Sequence, residues 1–189
     1  MTKKEARQLF LKKRQSLSAG EVFSLNQQLY NRFFAHFDLS FIKTFHIFLS
    51  IEEKKEPDTW SLLDRIRREF PHVRLVVPKM KPNNSLEHFY FEGLHQLRVN
   101  SWGIAEPQQG VPAEESKIDA VLVPLLACDK QGNRVGYGKG FYDQFLMHCR
   151  ADCQKVGYSF FEPIDLIEDA EPWDVPLDGC ITPNHIITF

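Results

Sequence analysis

A chain of 189 residues fits one domain with a sizeable core, and 43% hydrophobic with 13% aromatic residues excludes a disordered polyelectrolyte. A net charge of −2 leaves no global attraction to nucleic acid or to an anionic membrane, so any basic site has to be local. Cys128, Cys149, Cys153 and Cys180 form no CxxC pair and are too few for a disulfide scaffold, no stretch reaches the length of a membrane span, and MTKKEARQLF lacks the apolar core of a secretion signal; the cytoplasm is the expected compartment.

Residues 3–17 predict an opening helix. At 100° per residue, Arg7 and Arg14 fall within roughly 40° of Lys3, with Phe10 on the same stripe. Such a stripe is either a solvated basic face or one wall of a phosphate cleft, and both readings stay open here. Ser18 and Glu21 spell a capping box for a second helix over 19–36, whose Val22, Leu25, Leu29, Phe33 and Phe37 form a core-facing stripe. A strand is expected over 44–50, then a break at EEKKEPDTW, then a helix over 59–70. Glu56 would lie in that strand-to-helix loop, where open α/β sheets place ligand contacts; the plainer reading is that Glu52, Glu53 and Glu56 balance Lys54 and Lys55 at the surface. Residues 73–79 read as a buried strand and 86–91 as a half-exposed one. Trp102, beside Gly103 in a turn, is either core or a flat platform for an aromatic ligand.

The stretch over 118–146 organises the rest. Ile118 and residues 120–123 form an apolar run closed by Pro124, which suits a buried, central strand. Gly132, Gly136, Gly138 and Gly140 then punctuate a loop carrying Arg134 and Lys139, before Phe141, Tyr142, Phe145 and Leu146 resume helical spacing. Glycines at this spacing let backbone N–H groups converge on phosphate oxygens, and the following helix start adds further donors and partial positive charge. Arg134 offers a two-pronged donor and Lys139 a point charge, while Asp143 would oppose bound phosphates unless a divalent cation lay between. A magnesium-bound nucleoside triphosphate suits that set, although GYGKG matches neither the P-loop nor the dinucleotide fingerprint, and a plain glycine connection remains the alternative. Further on, 154–159 reads as a strand, 164–167 as a short helical turn, and 171–183 as a loop holding Asp174 and Asp178 before a final short strand. Strands alternating with helices predict an α/β domain with a mostly parallel sheet, helices on both faces and sites at the carboxyl ends of the strands.

The run DKQGNRVGYGKGFYDQFL, with Lys3, Arg7 and Arg14 ahead of it, EPDT beginning at Glu56 and WDVPLD near the end, resembles the 5-formyltetrahydrofolate cyclo-ligase family in order and spacing over nearly the whole chain. The resemblance implies a single three-layer α/β/α domain related to the ribose-5-phosphate isomerase and CoA-transferase group, and ATP-dependent closure of 5-formyltetrahydrofolate to 5,10-methenyltetrahydrofolate. Lys3, Lys4 and Arg7 fall where the family binds ATP, with Arg14 a weaker match. Arg134, Gly136, Tyr137, Gly138, Lys139, Gly140, Phe141 and Tyr142 match its phosphate loop, with Arg134, Lys139 and Tyr142 implied in catalysis. Asp143 and Asp174 match magnesium ligands and Glu56 the acid that holds the pterin; Leu49, Trp102 and Tyr142 fall where the substrate pocket is lined. Lys54 and Lys55 lengthen the loop ahead of Glu56 by about two residues. Phe141 replaces a frequent Tyr, and Trp173 stands where His is common.

The implied chemistry suits these parts. A formamide on N5 is a poor electrophile, and phosphorylating its oxygen supplies a leaving group that departs when N10 attacks. Positioning and charge neutralisation then suffice, with no protein nucleophile. The implied partner is a small molecule, 5-formyltetrahydrofolate with or without a polyglutamate tail, on a monomer or weak dimer that engages neither nucleic acid nor membrane. Two rivals make different predictions: another enzyme on the same fold would not consume ATP, and a folate- or nucleotide-binding module would bind without forming the methenyl product.

Overall fold

The computed structural model describes residues 1–101 and 103–189, so the expectation for Trp102 lies outside the described residues. Helix α1 (Lys3–Ser16) and helix α2 (Ala19–His36) each begin at a reciprocal capping box, Thr2 with Glu5 and Ser18 with Glu21. They are followed by β1 (Thr44–Ile47), α3 (Trp60–Glu69), β2 (Arg74–Met80) and β3 (Leu86–Tyr90). A small hairpin of β4 (Leu97–Val99) and β5 (Ala105–Pro107) precedes the central strand β6 (Ala120–Pro124). After it come β7 (Ala127–Cys128), β8 (Arg134–Val135), α4 (Phe141–His148), β9 (Gln154–Tyr158), β10 (Gly179–Ile181) and β11 (Ile186–Thr188).

Seven of these strands, among the described residues, form one sheet in the order β11-β10-β9-β6-β1-β2-β3. The inner strands run parallel, and each edge is closed by an antiparallel strand, β11 on β10 and β3 on β2. The apolar run after Ile118 thus occupies the middle of the sheet, as its unbroken hydrophobicity requires. Period-two alternation sends its side chains to two cores. Ala120 and Leu122 pack with Leu29 and Phe33 of α2 and Leu62 and Ile66 of α3; Val121 and Val123 pack with Phe145 and Leu146 of α4. Helix α1 lies over a third cluster, where Ala6 and Phe10 meet Leu126, Ala127 and Val135.

Three sequence expectations need correction. Residues 164–167 are not a helical turn: Ile164 makes a single parallel bridge to Asp129, and Ile167 N–H donates to the Asp129 carboxylate at 2.9 Å. The segment 171–183 is not all loop, because Gly179, Cys180 and Ile181 form β10, parallel to β9. Arg134, expected in a loop, is in β8, paired with Cys128. The turn between β7 and β8 explains that placement. Asp129 is fully buried, and its two oxygens accept four donors at 2.9 Å, from Gln131, Asn133 (backbone and side chain) and Ile167, which folds DKQGN back on itself.

Candidate active site

A cleft of about 900 Å³ opens at the carboxyl ends of the parallel strands, bounded by Phe48 and Leu49 after β1, Met80 at the end of β2 and Pro124 at the end of β6. Smaller clefts near the opposite ends, such as that beside Lys43 and Asp119, carry none of the expected site residues. Residues 134–144 form one wall of the large cleft, Lys3 and Arg7 of α1 a second, and Ile51, Lys54 and Glu56 a third.

The glycine segment takes the conformation its composition allows. Gly138 and Gly140 have φ of 84° and 73°, in the left-handed region that disfavours a side chain, and Gly140 is the N-cap of α4 with no side-chain cap of its own. The N-cap thus offers no side chain to accept from the first N–H groups of α4. Arg7 reaches across from α1: its Nε donates to the Gly136 carbonyl at 2.9 Å, and a Cβ on Gly138 would meet the guanidinium at 3.1 Å. Lys139 lines the cleft and is exposed.

Several expected ligand contacts are already paired. Arg134 is buried, with Nη2 donating to Asp143 Oδ1 at 2.6 Å and Nη1 to the Val175 carbonyl. Burial lowers its pKa, opposed by the adjacent Asp143. Its guanidinium is thus the counter-ion of Asp143 and a tie to the 171–178 segment as well as a cleft wall. Asp174 is ion-paired with Lys3 and also accepts from Glu171 N–H at 2.6 Å. Lys4 is exposed on α1 and does not line the cleft. Arg14 does not line it either; it is buried behind Tyr137 and donates to that phenol oxygen.

Glu56 is buried at the cleft wall rather than balancing surface lysines. Its Oε2 accepts from Ile51 N–H at 2.9 Å, and its Oε1 accepts from the Tyr137 hydroxyl at 2.5 Å. Burial, and then the charge of Glu56, raise the Tyr137 pKa, so the phenol keeps its proton and donates. Tyr142 also lines the cleft, its hydroxyl buried without a hydrogen-bond partner among the described residues and its pKa raised chiefly by burial. Leu49 and Phe141 line the cleft as well. Lys54, Met80, Asn84, Glu106 and Met147 also line it, though sequence reasoning gave them no role; Met80 and Glu106 lie in β2 and β5, Lys54 and Asn84 in the connections after β1 and β2, and Met147 on the exposed side of α4.

A sequence model of the 5-formyltetrahydrofolate cyclo-ligase family matches residues 1–183. The chain belongs to that family. It is 29% identical over 179 residues to the 5-formyltetrahydrofolate cyclo-ligase of Escherichia coli K12, covering 92% of this chain and 96% of the relative. It is equally similar to the Mycoplasma pneumoniae cyclo-ligase, with 94% and 96% covered. The NMR structure of Aquifex aeolicus 5,10-methenyltetrahydrofolate synthetase superposes with a TM-score of 0.83 at 30% identity, over 100% of this chain and 93% of the other. The Mycoplasma pneumoniae synthetase structure gives 0.76 at 28%, over 96% and 98%. As a member of the cyclo-ligase family the chain is an enzyme that converts 5-formyltetrahydrofolate to 5,10-methenyltetrahydrofolate.

Proposed function

We propose that the cleft carries out this closure with ATP, holding the phosphates on the 136–140 loop and the pterin on Glu56, and that the chain works as one domain of the three-layer α/β/α type. The reading rests above all on one observation: a single cavity of about 900 Å³ gathers the glycine loop, Arg7, Lys139 and the buried carboxylate of Glu56. That volume is at the upper end of ordinary ligand pockets, as two ligands side by side require.

The fit to a triphosphate is supported by the loop itself. With Gly138 and Gly140 in the left-handed region, N–H groups of the loop and of the start of α4 can converge on anionic oxygens, while Arg7 and Lys139 bring the positive charge. Asp143 and Asp174 suit a magnesium ion in their chemistry, since that ion is commonly held by one or two carboxylates together with substrate phosphates. Bound there, the ion would neutralise phosphoryl oxygens.

The chain's own groups then act by placement. Glu56, fixed by Ile51 and Tyr137, has lone pairs left to accept parallel N–H donors of the pterin. Lys139 and Arg7 neutralise charge as the terminal phosphoryl group passes to the formyl oxygen and ADP is released. N10 then attacks the activated carbon and phosphate departs, forming the methenyl bridge. Leu49, Phe48 and Met80 line the cleft with apolar surface that keeps water from the activated formyl group.

A spectrophotometric assay tests the reading. Wild type should form methenyl product only with ATP present, and Lys139→Ala should lower turnover on the order of 10²-fold. Turnover within about threefold of wild type would remove Lys139 from the phosphate site.

A further inference from the structure

Tyr137 sits in the glycine loop and lines the cleft, and its side chain reaches across to the Glu56 wall. Its hydroxyl donates to Glu56 Oε1 at 2.5 Å and accepts from Arg14. Its ring is flanked by two cations, Arg14 at 5.5 Å and Lys54 at 5.1 Å from the centroid. Next in sequence, Lys55 adopts a left-handed backbone (φ 48°) and donates to the carbonyls of Gln15 and Leu17 at 2.7 and 2.6 Å, tying the Glu56 loop to the C-terminal end of α1. Arg14, at that same end of α1, meets Glu56 through the Tyr137 hydroxyl, and among the described residues the two make no direct ion pair. The extra residues Lys54 and Lys55 are both used in this arrangement.

From this geometry we infer that Arg14 and Tyr137 are positioning residues for Glu56, and that they couple nucleotide binding to folate binding. The inference rests on the proposed function, with phosphates on the loop and pterin on Glu56. The Tyr137–Glu56 hydrogen bond is made from a loop in which the next residue, Gly138, is left-handed and Arg7 bonds the carbonyl of the preceding one, Gly136. A ligand that holds the loop in that conformation also holds Tyr137 against Glu56 and leaves less ordering for the folate to do. Coupling is therefore positive, and by linkage it is reciprocal: folate tightens nucleotide by the same factor. Arg14, which falls at a weaker match to the family's ATP-binding positions, belongs by this geometry to the folate side.

The test is calorimetric titration of 5-formyltetrahydrofolate into the protein with and without a non-hydrolysable ATP analogue and magnesium. Wild type should bind folate about fivefold or more tightly when the analogue is present. Tyr137→Phe, which keeps the ring and its cation contacts, should bring that ratio close to one while both ligands still bind. Arg14→Met should weaken folate more than the analogue, with Arg14→Lys restoring part of the loss; thermal melts of each variant establish that it is folded. A wild-type ratio of one, or an undiminished ratio in Tyr137→Phe, overturns the coupling. Failure of the underlying reading looks different: Glu56→Gln would then leave folate affinity unchanged, or Lys139→Ala would leave the analogue's affinity unchanged.

Discussion

Glu56 combines burial with a carboxylate held from behind by a backbone N–H and a phenol, which leaves its remaining lone pairs aimed rather than mobile. Replacing it with Gln puts an NH2 group against one of those two donors and removes the charge that strengthens contacts to a ligand's N–H groups. Glu56→Gln should raise the folate KM about tenfold or more, with the ATP KM changed far less, as steady-state kinetics would measure. A variant that lost ATP affinity and kept its folate KM would contradict the assignment. The position of Glu56 in a strand-to-helix loop was legible from sequence, but which neighbours would hold it was not. Arg14 and Arg134 make the same point: both look like free cations in the sequence, and only tertiary contacts show one behind a tyrosine and the other on Asp143.

At the scale of elements, periodicity carried the reading wherever a segment was long and regular. Helix α2 and the central strand β6 announce themselves by a capping box with an apolar stripe and by an unbroken apolar run. Strand β10 did not, because its three residues lie among Asp, Pro and Gly and are held by pairing to β9 rather than by any local preference. The glycine loop was legible as a conformational requirement, but not all of its glycines are equivalent. Gly138 has positive φ and Arg7 packed where a side chain would go; Gly136 has ordinary φ and open space. Gly138→Ala should therefore raise the ATP KM several-fold, since a left-handed alanine costs roughly 1–2 kcal/mol before any clash with Arg7. Gly136→Ala should cost clearly less. Equal effects of the two substitutions would mean that the loop's backbone geometry does not govern nucleotide binding.

The molecule as a whole hides two histidines between the sheet and α4. Strand alternation that puts Phe45 and Ile47 on the α2 side turns His46 toward the α4 side, where its ring lies 5.1 Å from His88 and 4.7 Å from Phe145. Among the described residues neither imidazole has a hydrogen-bond partner. His88 Nε2 is 3.3 Å from Glu115 Oε1 but outside hydrogen-bonding geometry, and burial pushes His88 down to about 4, so the contact is not an ion pair at neutral pH. Burial, with the neighbouring His88 adding to it, holds His46 well below its ordinary value.

Both rings stay neutral in the folded protein at pH values where the unfolded chain already binds protons near 6.5. The unfolded state therefore takes up more protons between about 6.5 and 4, and stability that is complete above 6.5 is lost as the pH falls through that window. Glu115, whose pKa is raised by its own burial, opposes part of this loss. Denaturant midpoints should fall steeply from pH 7 to pH 5, and His88→Gln should flatten that slope. An unchanged slope in the variant would place the acid sensitivity elsewhere.

The most direct measurement is a crystal structure with a non-hydrolysable ATP analogue, magnesium and 5-formyltetrahydrofolate. It should show phosphate oxygens within hydrogen-bond distance of the N–H groups of residues 138–141, Lys139 on the terminal phosphate, and the pterin on Glu56 with its formyl oxygen facing that phosphate. Nucleotide bound away from the loop, with Lys139 and Arg7 turned to solvent, would contradict the account.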